Sequence, residues 1–349
     1  MKKFQCKNYT QALNLIRSEN YNRILLQCPA GLLNKELLAF VSEIQEDSRD
    51  VIIVGEECYG ACDLPLSYAF ELQVDVIIHV GHSIYHQLPL ITDLIYVTIE
   101  VEIDLSQYAD EIYELCKMNS WNSLTLVGTI QHTSSFLDLA TKLQQDQIDV
   151  LIPSKRGHLQ EGQILGCEVN LESEKTTDAI LCVAGGRFHA LAVMLSQKNP
   201  TISLDPFLGT IDLYTTKQRN KYLMKRYALI EKSRHAKVWG VIYGLKSGQK
   251  RPYLMTLAKQ WIKGMNKTSI TIAATQINPH SLNNFSFVDA WVTTHCIRQG
   301  LDDNELFTKP SLTIAELGVA CGKIAWKTLI EGDYLNANHY PQKHLKNDN

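Results

Sequence analysis

The segment Val51-Ile52-Ile53-Val54, followed after four residues by Tyr59-Gly60-Ala61-Cys62-Asp63, shows the pattern on which the whole chain is built. The first part is a short run of β-branched residues and predicts a buried strand, and residues 67–72 predict a helix. Cys62 therefore falls where a strand gives way to a helix N-terminus. There the helix dipole favours the thiolate that ligates metals or acts as a nucleophile. A small, buried, structural cysteine is the alternative interpretation.

Short apolar runs alternate with longer amphipathic stretches along the chain, which is typical of strands joined by helical crossovers in a mainly parallel sheet. The order of elements predicts an α/β protein of three related domains, each a small mainly parallel sheet flanked by helices. We expect domains at residues 1–105, 106–213 and 214–335, with the functional site at their junction. Residues 336–349 are polar and predict a flexible, frayed tail.

The predicted elements follow the same scheme in each third of the chain. The first third has strands at 23–28, 51–54, 75–80 and 95–100, and helices at 10–17, 35–45 and 67–72. The middle third has strands at 123–128, 148–152, 179–184 and 201–204, and helices at 135–144 and 189–196. The last third has strands at 237–243, 269–273 and 289–294, and helices at 216–232, 252–263 and 314–329.

Composition narrows the possible functions. The chain has 349 residues, 45% of them hydrophobic, and a formal charge of -3, so no overall basic character favours direct binding of nucleic acid. Its N-terminus lacks a secretory pattern, and no run of about 18 apolar residues predicts a membrane span. We therefore expect a cytoplasmic protein. A reducing cytosol argues against a disulfide framework for the nine cysteines.

Three cysteines recur at comparable places in the three predicted domains. Cys62 and Cys167 follow the second predicted strand of their domains, Cys167 at some distance, and Cys296 lies at a strand end. In open α/β sheets these loops form the functional rim. Three converging thiolates suit an iron-sulfur cluster with one open iron, or a zinc ion completed by water or another residue. The spacing alone does not choose between these, and buried structural thiols remain the alternative.

Several short motifs together resemble one enzyme family. Besides Tyr59-Gly60-Ala61-Cys62-Asp63, the chain contains Gln163-Ile164-Leu165-Gly166-Cys167 and Cys296-x-Arg298 followed by Asp302-Asp303. Further similar pieces are Gln27-x-Pro29-x-Gly31-Leu32-Leu33, Gly81-His82-Ser83, Gly185-Gly186-Arg187-Phe188-His189, Asp205-Pro206 and Lys246-x-Gly248-Gln249. In this order they resemble the archaeal-type 2-(3-amino-3-carboxypropyl)histidine synthase, which performs the first step of diphthamide synthesis. The resemblance runs from about residue 20 to about residue 330.

The resemblance implies a function and a set of ligands. Members of the family hold a [4Fe-4S] cluster on three cysteines, which correspond here to Cys62, Cys167 and Cys296. The cluster binds S-adenosyl-L-methionine and cleaves its bond from sulfur to Cγ, and the 3-amino-3-carboxypropyl radical adds to a histidine of translation elongation factor 2. An external electron donor supplies the electron, and archaeal members form homodimers. One departure is Ile297, where the family usually has proline, so the geometry of this loop is open.

The remaining candidates each have a structural alternative. His189 begins a helix after Gly185 and Gly186, where backbone amides suit the cofactor's carboxylate. Gln249 belongs to a possible cofactor-binding turn, and Arg298 suits either that carboxylate or the cluster. Packing, capping or solvent exposure would equally explain them. Asp302 and Asp303 are either support for the site or a pair at a helix N-terminus. Cys58 is expected to be a bystander, with a spare ligand or a redox partner as the alternatives. We expect structural roles for Cys6, Cys28, Cys116, Cys182 and Cys321.

Three hypotheses of different class follow from the sequence. The first is a reductant-dependent iron-sulfur aminocarboxypropyl transferase that modifies a protein histidine, or a different acceptor. The second is a structural zinc protein or non-catalytic partner subunit that uses the same cysteines. The third is a nucleotide-binding α/β protein whose cysteines are incidental. The fold cannot separate them, because function belongs to the site.

Overall fold

The computed structural model describes residues 1–85, 90–101, 103–169, 171, 176–302, 306–332, 334–339 and 341–344. The described strands form three separate sheets of five, five and four strands. The first and third sheets are parallel throughout, and the middle sheet has one antiparallel pair at its edge. The α/β class with three mainly parallel sheets, predicted from the sequence, is therefore confirmed.

The first unit carries its strands in the order β1-β5-β4-β2-β3. Apolar positions on α1 and α2 pack with the central strands in one core, which is why these helices cover the sheet. The elements are β1 (Lys3–Cys6), α1 (Tyr9–Ser18), β2 (Arg23–Gln27), α2 (Lys35–Glu46), β3 (Asp50–Ile53), α3 (Leu66–Leu72), β4 (Val76–Val80) and β5 (Asp93–Val97).

The middle unit repeats this arrangement in the order β10-β9-β8-β6-β7. Its outermost strand, β10, is the antiparallel one and turns back along β9. The elements are α4 (Ala109–Asn119), β6 (Ser123–Gly128), α5 (Phe136–Gln145), β7 (Asp149–Leu151), β8 (Ala179–Val183), α6 (Phe188–Ser196), β9 (Thr201–Asp205) and β10 (Thr210–Tyr214).

The third unit is a four-stranded sheet in the order β12-β11-β13-β14. The buried Arg226 of its first helix is paired with Glu316, which also accepts a hydrogen bond from Tyr334. The elements are α7 (Thr216–Ser233), β11 (Val238–Gly244), α8 (Pro252–Gly264), β12 (Thr268–Ala274), α9 (Pro279–Leu282), β13 (Ala290–Thr293), α10 (Ile297–Leu301), β14 (Ser311–Thr313), α11 (Ile314–Ala320), α12 (Trp326–Glu331) and α13 (Asn336–His339).

One aspartate in each unit marks the same structural position. Asp75 accepts hydrogen bonds at 2.8 Å from the two backbone amides at the start of β2, and it directly precedes β4. Asp178 does the same for the start of β6, at 2.8 and 3.0 Å, and Asp289 for the start of β11, at 2.8 and 2.9 Å. The same pair of aspartate hydrogen bonds at equivalent positions supports the prediction that the three units are related.

The middle and third units are packed more closely than separate domains would be. Residues of β8 and α6 in the middle unit lie in one continuous apolar core with β11, α8 and α11 of the third unit. The predicted boundaries near residues 106 and 214 fall between the sheets. Because two of the units share a core, the division into domains stays a prediction.

The structure corrects several predicted elements. Each predicted strand is present within a few residues, but the sequence does not indicate β1, β10 or β14, all of which lie at sheet edges. The single helix predicted at 314–329 is wrong. Gly322, with a φ of 72°, ends α11 in the left-handed conformation, and the amides of Gly322 and Lys323 donate to carbonyls of that helix before α12 begins.

The predicted frayed tail is also different in the structure. Residues Asn336–His339 form α13, and Ala337 and Asn338 are buried. Asn338 accepts a hydrogen bond from the amide of Ala315, which fastens the C-terminal segment to α11. Residues 345–349 lie outside the described residues.

Candidate metal centre

The three predicted ligands occupy three different loops. Cys62 lies in the turn between β3 and α3, and Cys167 lies in a tight turn closed by two hydrogen bonds between the backbones of Leu165 and Glu168, both at 3.1 Å. Cys296 follows β13 and precedes the first residue of α10. The structure places the three close to one another: a negative charge on Cys62 or Cys296 raises the pKa of Cys167, and one on Cys296 raises the pKa of Cys62.

The site disfavours thiolates when no cation is bound. Burial raises the pKa of the Cys62 thiol to about 12; the neighbouring Cys296 adds to this, and a hydrogen bond from Gln249 opposes it. Burial, followed by the charges of Cys62 and Cys296, raises the pKa of Cys167 as well. The expected lowering at Cys62 by a helix dipole is therefore outweighed by burial. A bound cation reverses this balance, because its charge stabilises the thiolates.

A loop of the third unit is packed directly on Cys62. The amide of Gly248 donates to the Cys62 carbonyl oxygen at 2.7 Å, and the Ser247 hydroxyl donates to the same oxygen at 3.2 Å. The Gln249 amide nitrogen lies 3.9 Å from the Cys62 sulfur. The Lys246-x-Gly248-Gln249 motif therefore holds a ligand from another unit in place.

A buried ion pair fixes the same contact. The Lys246 ammonium lies 2.5 Å from a carboxylate oxygen of Asp63, donates to the Glu57 carbonyl oxygen at 3.0 Å, and sits 4.4 Å from the centre of the Tyr59 ring. The Lys246 and Asp63 side chains are both almost fully buried. Burial raises the pKa of the Asp63 carboxyl, and the Lys246 ammonium opposes that rise.

Gly248→Ala should disturb the metal centre without touching a ligand. A Cβ at position 248 would lie 2.5 Å from the Cys62 carbonyl oxygen and 2.8 Å from the Cys62 Cβ, so the Cys62 loop must move. We expect the reconstituted variant to hold less than half the iron of the parent chain. The matched control is Gly264→Ala, where a Cβ would meet no atom within 4 Å. Equal iron content in both variants would show that the contact is dispensable.

Arg251 is a site residue that the sequence does not reveal. Its positive charge lowers the pKa of both Cys62 and Cys167, and it also acts on His295 and His339. It directly precedes α8 and is only half-buried. A guanidinium here offsets the negative charge of thiolates or of a bound anion. A single arginine in a loop carries no spacing signal, although its position two residues after Gln249 was a clue.

The Cys167 turn is held by two further parts of the chain. The His339 Nε2 atom lies 3.0 Å from the Cys167 carbonyl oxygen. Gly166 is packed so closely on Phe188 that a Cβ there would lie 2.0 Å from the ring. Phe188 also lies 5.4 Å beneath the Arg298 guanidinium. The Gly185–His189 motif thus connects the Cys167 turn with the segment after Cys296.

One protein-family model matches this chain over most of its length. Residues 28–330 match the family model described as "Putative diphthamide synthesis protein". This chain belongs to the diphthamide synthesis family. The resemblance seen in the sequence is thereby confirmed, and the match covers all three candidate ligands.

Relatives within the diphthamide synthesis family are similar over most of their length. The 2-(3-amino-3-carboxypropyl)histidine synthase subunit 1 of Schizosaccharomyces pombe is 31% identical over 337 residues, covering 93% of this chain and 75% of that protein. The 2-(3-amino-3-carboxypropyl)histidine synthase of Pyrococcus horikoshii is 28% identical, covering 90% of each chain. The crystal structure of Dph2 from P. horikoshii with a 4Fe-4S cluster has a TM-score of 0.79, 26% identity and 90% coverage of each chain.

The third candidate ligand does not repeat the position of the first two. Cys62 and Cys167 follow β3 and β7, which pair with β2 and β6 at the edges of their sheets. The corresponding edge strand of the third unit is β12, whereas Cys296 follows the central strand β13. Strictly equivalent positions would follow the same strand in each unit. The repeated architecture is therefore broken at the metal centre.

Ile297 is accommodated at the place where the family usually has proline. It is the first residue of α10 and is buried. Proline is favoured at this position because the first amide of a helix has no partner within the helix, so another residue leaves the helix intact. Ile297 is therefore compatible with the start of α10 directly after Cys296.

The other predicted site residues lie at the edge of the centre. Arg298 is mostly exposed and lies 3.7 Å from Asp302, which also binds Arg187 of the middle unit at 2.8 Å. Asp302 thus bridges two units and is not at a helix N-terminus, and Asp303 lies outside the described residues. The Gly186 amide donates to Asp205 at 2.7 Å, so this particular amide is already engaged.

His189 has one nitrogen available to a ligand. Its Nδ1 atom is buried and has no hydrogen-bond partner among the described residues. Burial, together with a smaller effect of the Arg298 charge, lowers the pKa of His189 to about 4, so the ring is neutral at physiological pH. Of the predicted cofactor contacts, His189 therefore has the clearest unsatisfied group.

Across the described part of the chain, none of the helices is both long and apolar enough to cross a bilayer.

Proposed function

We propose that this chain transfers a 3-amino-3-carboxypropyl group from S-adenosyl-L-methionine to a histidine of translation elongation factor 2, as the first step of diphthamide synthesis. The observation that carries the proposal is the meeting of Cys62, Cys167 and Cys296, from three different units, in a chain of the diphthamide synthesis family. Its relatives are named as 2-(3-amino-3-carboxypropyl)histidine synthases, which makes this chain a transferase.

The donor set suits a [4Fe-4S] cluster better than a single ion. Three thiols with one position left open match a cluster that binds three irons through protein and leaves the fourth to the cofactor. Within the described ranges, the three sulfurs do not form a group whose members all lie within 4.8 Å of one another, as a mononuclear site would bring them. The similar Dph2 structure contains such a cluster.

The chain's own residues have defined roles in this proposal. When bound, the cluster supplies one electron, taken from an external donor, that breaks the bond from sulfur to Cγ of the cofactor. Cys62, Cys167 and Cys296 hold the irons, and Gln249 and Arg251 moderate the charge on the sulfurs. Because the protein fixes where the cofactor's Cγ carbon lies, geometry decides which bond breaks.

We assign the amino-acid end of the cofactor to the Gly185–His189 turn and its neighbours. His189 offers an unsatisfied nitrogen, Arg298 offers a positive charge, and Gly186 keeps the turn open to a ligand because it lacks a side chain. Gln249 approaches the Cys62 sulfur from the third unit, and we propose that it also contacts the cofactor there. All four contacts are parts of the proposal. The proposed location is the cytoplasm, where thiols stay reduced.

The acceptor and the assembly are further parts of the proposal. A histidine of translation elongation factor 2 is the proposed acceptor, and a homodimer is the proposed assembly. The relative from S. pombe is named as subunit 1, so a pairing with a second, different subunit is the alternative. Sedimentation of the purified chain, alone and with elongation factor, separates these arrangements.

One reconstitution tests the proposal. The chain is loaded with iron and sulfide under anaerobic conditions and mixed with S-adenosyl-L-methionine, dithionite and elongation factor 2. We expect the factor to gain the mass of one aminocarboxypropyl group in place of one hydrogen, on a single histidine. The matched control omits dithionite and should show no gain. A fully loaded chain that consumes no cofactor, or a chain that binds one zinc and no sulfide, would contradict the proposal.

A further inference from the structure

A second group of ligand side chains lies next to the Cys62 turn. Cys58, His79 and His82 each place one ligand atom so that all three atoms lie within 4.8 Å of one another. His79 is fully buried, and the other two are half-buried. Over the ranges that the structure describes, no other His, Cys, Asp or Glu side chains form such a group. One sulfur and two imidazoles are a donor set typical of zinc and related divalent cations.

The hydrogen bonds of His79 orient its ring for ligation. Its Nδ1 atom lies 2.8 Å from the Gln27 side-chain oxygen, and its Nε2 atom lies 2.9 Å from Nδ1 of His82. An amide oxygen only accepts hydrogen bonds, so Nδ1 carries the hydrogen and Nε2 presents its lone pair. Metal-binding histidines are commonly held in this way, with the other ring nitrogen donating to an oxygen. Gln27 is itself buried and therefore fixed.

The space between the two rings suits a cation. The two ring nitrogens of His79 and His82 that face each other at 2.9 Å mark the place where a metal would lie. Zinc binds imidazole nitrogen at about 2.0–2.1 Å, so a cation bound to both nitrogens needs only a small separation of the rings. Gly60, with a φ of 153°, leaves the ring of His82 uncrowded, because even a Cβ there would lie 4.0 Å from its Nε2 atom.

The protonation states are compatible with binding. Burial lowers the pKa of His79 well below its ordinary value and that of His82 to about 4, so both rings are neutral, which is the ligating form. Burial raises the pKa of the Cys58 thiol to about 12, with Asp63 adding to this and Lys246 opposing it. A cation would supply the charge that the thiolate needs.

We propose that Cys58, His79 and His82 bind one divalent cation of the zinc class, with the fourth position left to water. The site shares no ligand with the Cys62, Cys167 and Cys296 centre. Cys58, expected from the sequence to be a bystander, therefore becomes a ligand of its own site. The proposal does not depend on which reaction the other centre performs.

Zinc binding by the iron-loaded chain tests this site. The chain, with its iron content measured first, is dialysed anaerobically against buffered zinc and analysed for both metals. We expect about one zinc per chain in addition to the iron. Zinc K-edge absorption should show one sulfur at about 2.3 Å and two imidazole nitrogens at about 2.0–2.1 Å. Loading the iron first prevents zinc from entering the three-cysteine centre.

Variants identify the ligands. Cys58→Ser and His82→Asn should each weaken zinc binding more than about 10-fold, and Gln27→Leu should weaken it about 10–100-fold because His79 loses its orienting partner. Iron content should stay unchanged. Cys182→Ser, at a cysteine buried in β8, is the matched control and should bind zinc normally. The proposal is overturned if the parent chain retains no zinc, if Cys58→Ser retains it fully, if the zinc shows three sulfur ligands, or if Cys58→Ser loses iron together with zinc.

Discussion

Replacing any one of Cys62, Cys167 or Cys296 by alanine is expected to reduce the iron of the reconstituted chain from about four atoms to nearly none. The reason is geometric. The three thiols come from three separate loops, so no remaining pair encloses a cluster. Alanine removes the sulfur while leaving the backbone of each loop able to keep its conformation. Iron and sulfide analysis, together with the brown absorption of the protein, measures the effect.

Cys182→Ala is the matched control for these variants. Cys182 is fully buried in β8 and lies in the apolar core shared by the middle and third units. Its loss should cost some stability but no iron. Full iron binding by all three ligand variants would show that the cysteines are incidental, as expected for a nucleotide-binding α/β protein. Zinc in place of iron would favour the structural hypothesis.

Lys246→Met is expected to lower the free energy of unfolding by about 3–5 kcal/mol, the usual cost of removing one partner of a buried ion pair. The substitution leaves the Asp63 carboxyl buried without its cation. It also removes the donor to the Glu57 carbonyl oxygen and the contact with the Tyr59 ring. Because these groups surround Cys62, we expect iron to be held less tightly as well. Urea unfolding followed by circular dichroism measures the first effect.

Two further variants identify the cause of the expected loss of stability. The double variant Lys246→Met with Asp63→Asn should recover part of the stability, because no uncompensated charge is then buried. Lys263→Met, at an exposed lysine near the end of α8, should unfold like the parent chain. An unchanged midpoint for Lys246→Met would mean that the ion pair does not hold the first and third units together.

Local sequence patterns predicted the fold well where burial and periodicity agree. The central strands are runs of apolar residues and were found within a few residues of their bounds. The edge strands β1, β10 and β14 were not, because their pairing depends on neighbours distant in the chain. The sequence does not predict the break between α11 and α12, although Gly322 lies at it. A glycine within an amphipathic pattern is ambiguous without the backbone conformation.

The metal centre was only partly accessible from the sequence. Cys62, Cys167 and Cys296 were singled out, but their convergence is a property of the assembled fold and has no local spacing. Arg251 and the contact of Gly248 with Cys62 are likewise tertiary. His82 lies in one of the motifs noted in the sequence, but its grouping with His79 and Cys58 is also tertiary, since the two histidines lie at one strand end and Cys58 follows another strand.

The scattering of the three cysteines over three loops sets the order of events when the protein matures. In a zinc finger the ligands are close in sequence, and metal capture drives folding. Here the sheets must form and dock before the proposed cluster has a place to assemble, so cofactor insertion is the last step of biogenesis. Oxidative loss of the cluster would then release three loops and leave the sheets intact. We therefore expect that a chain that has lost the proposed cluster can be reloaded without being synthesised again.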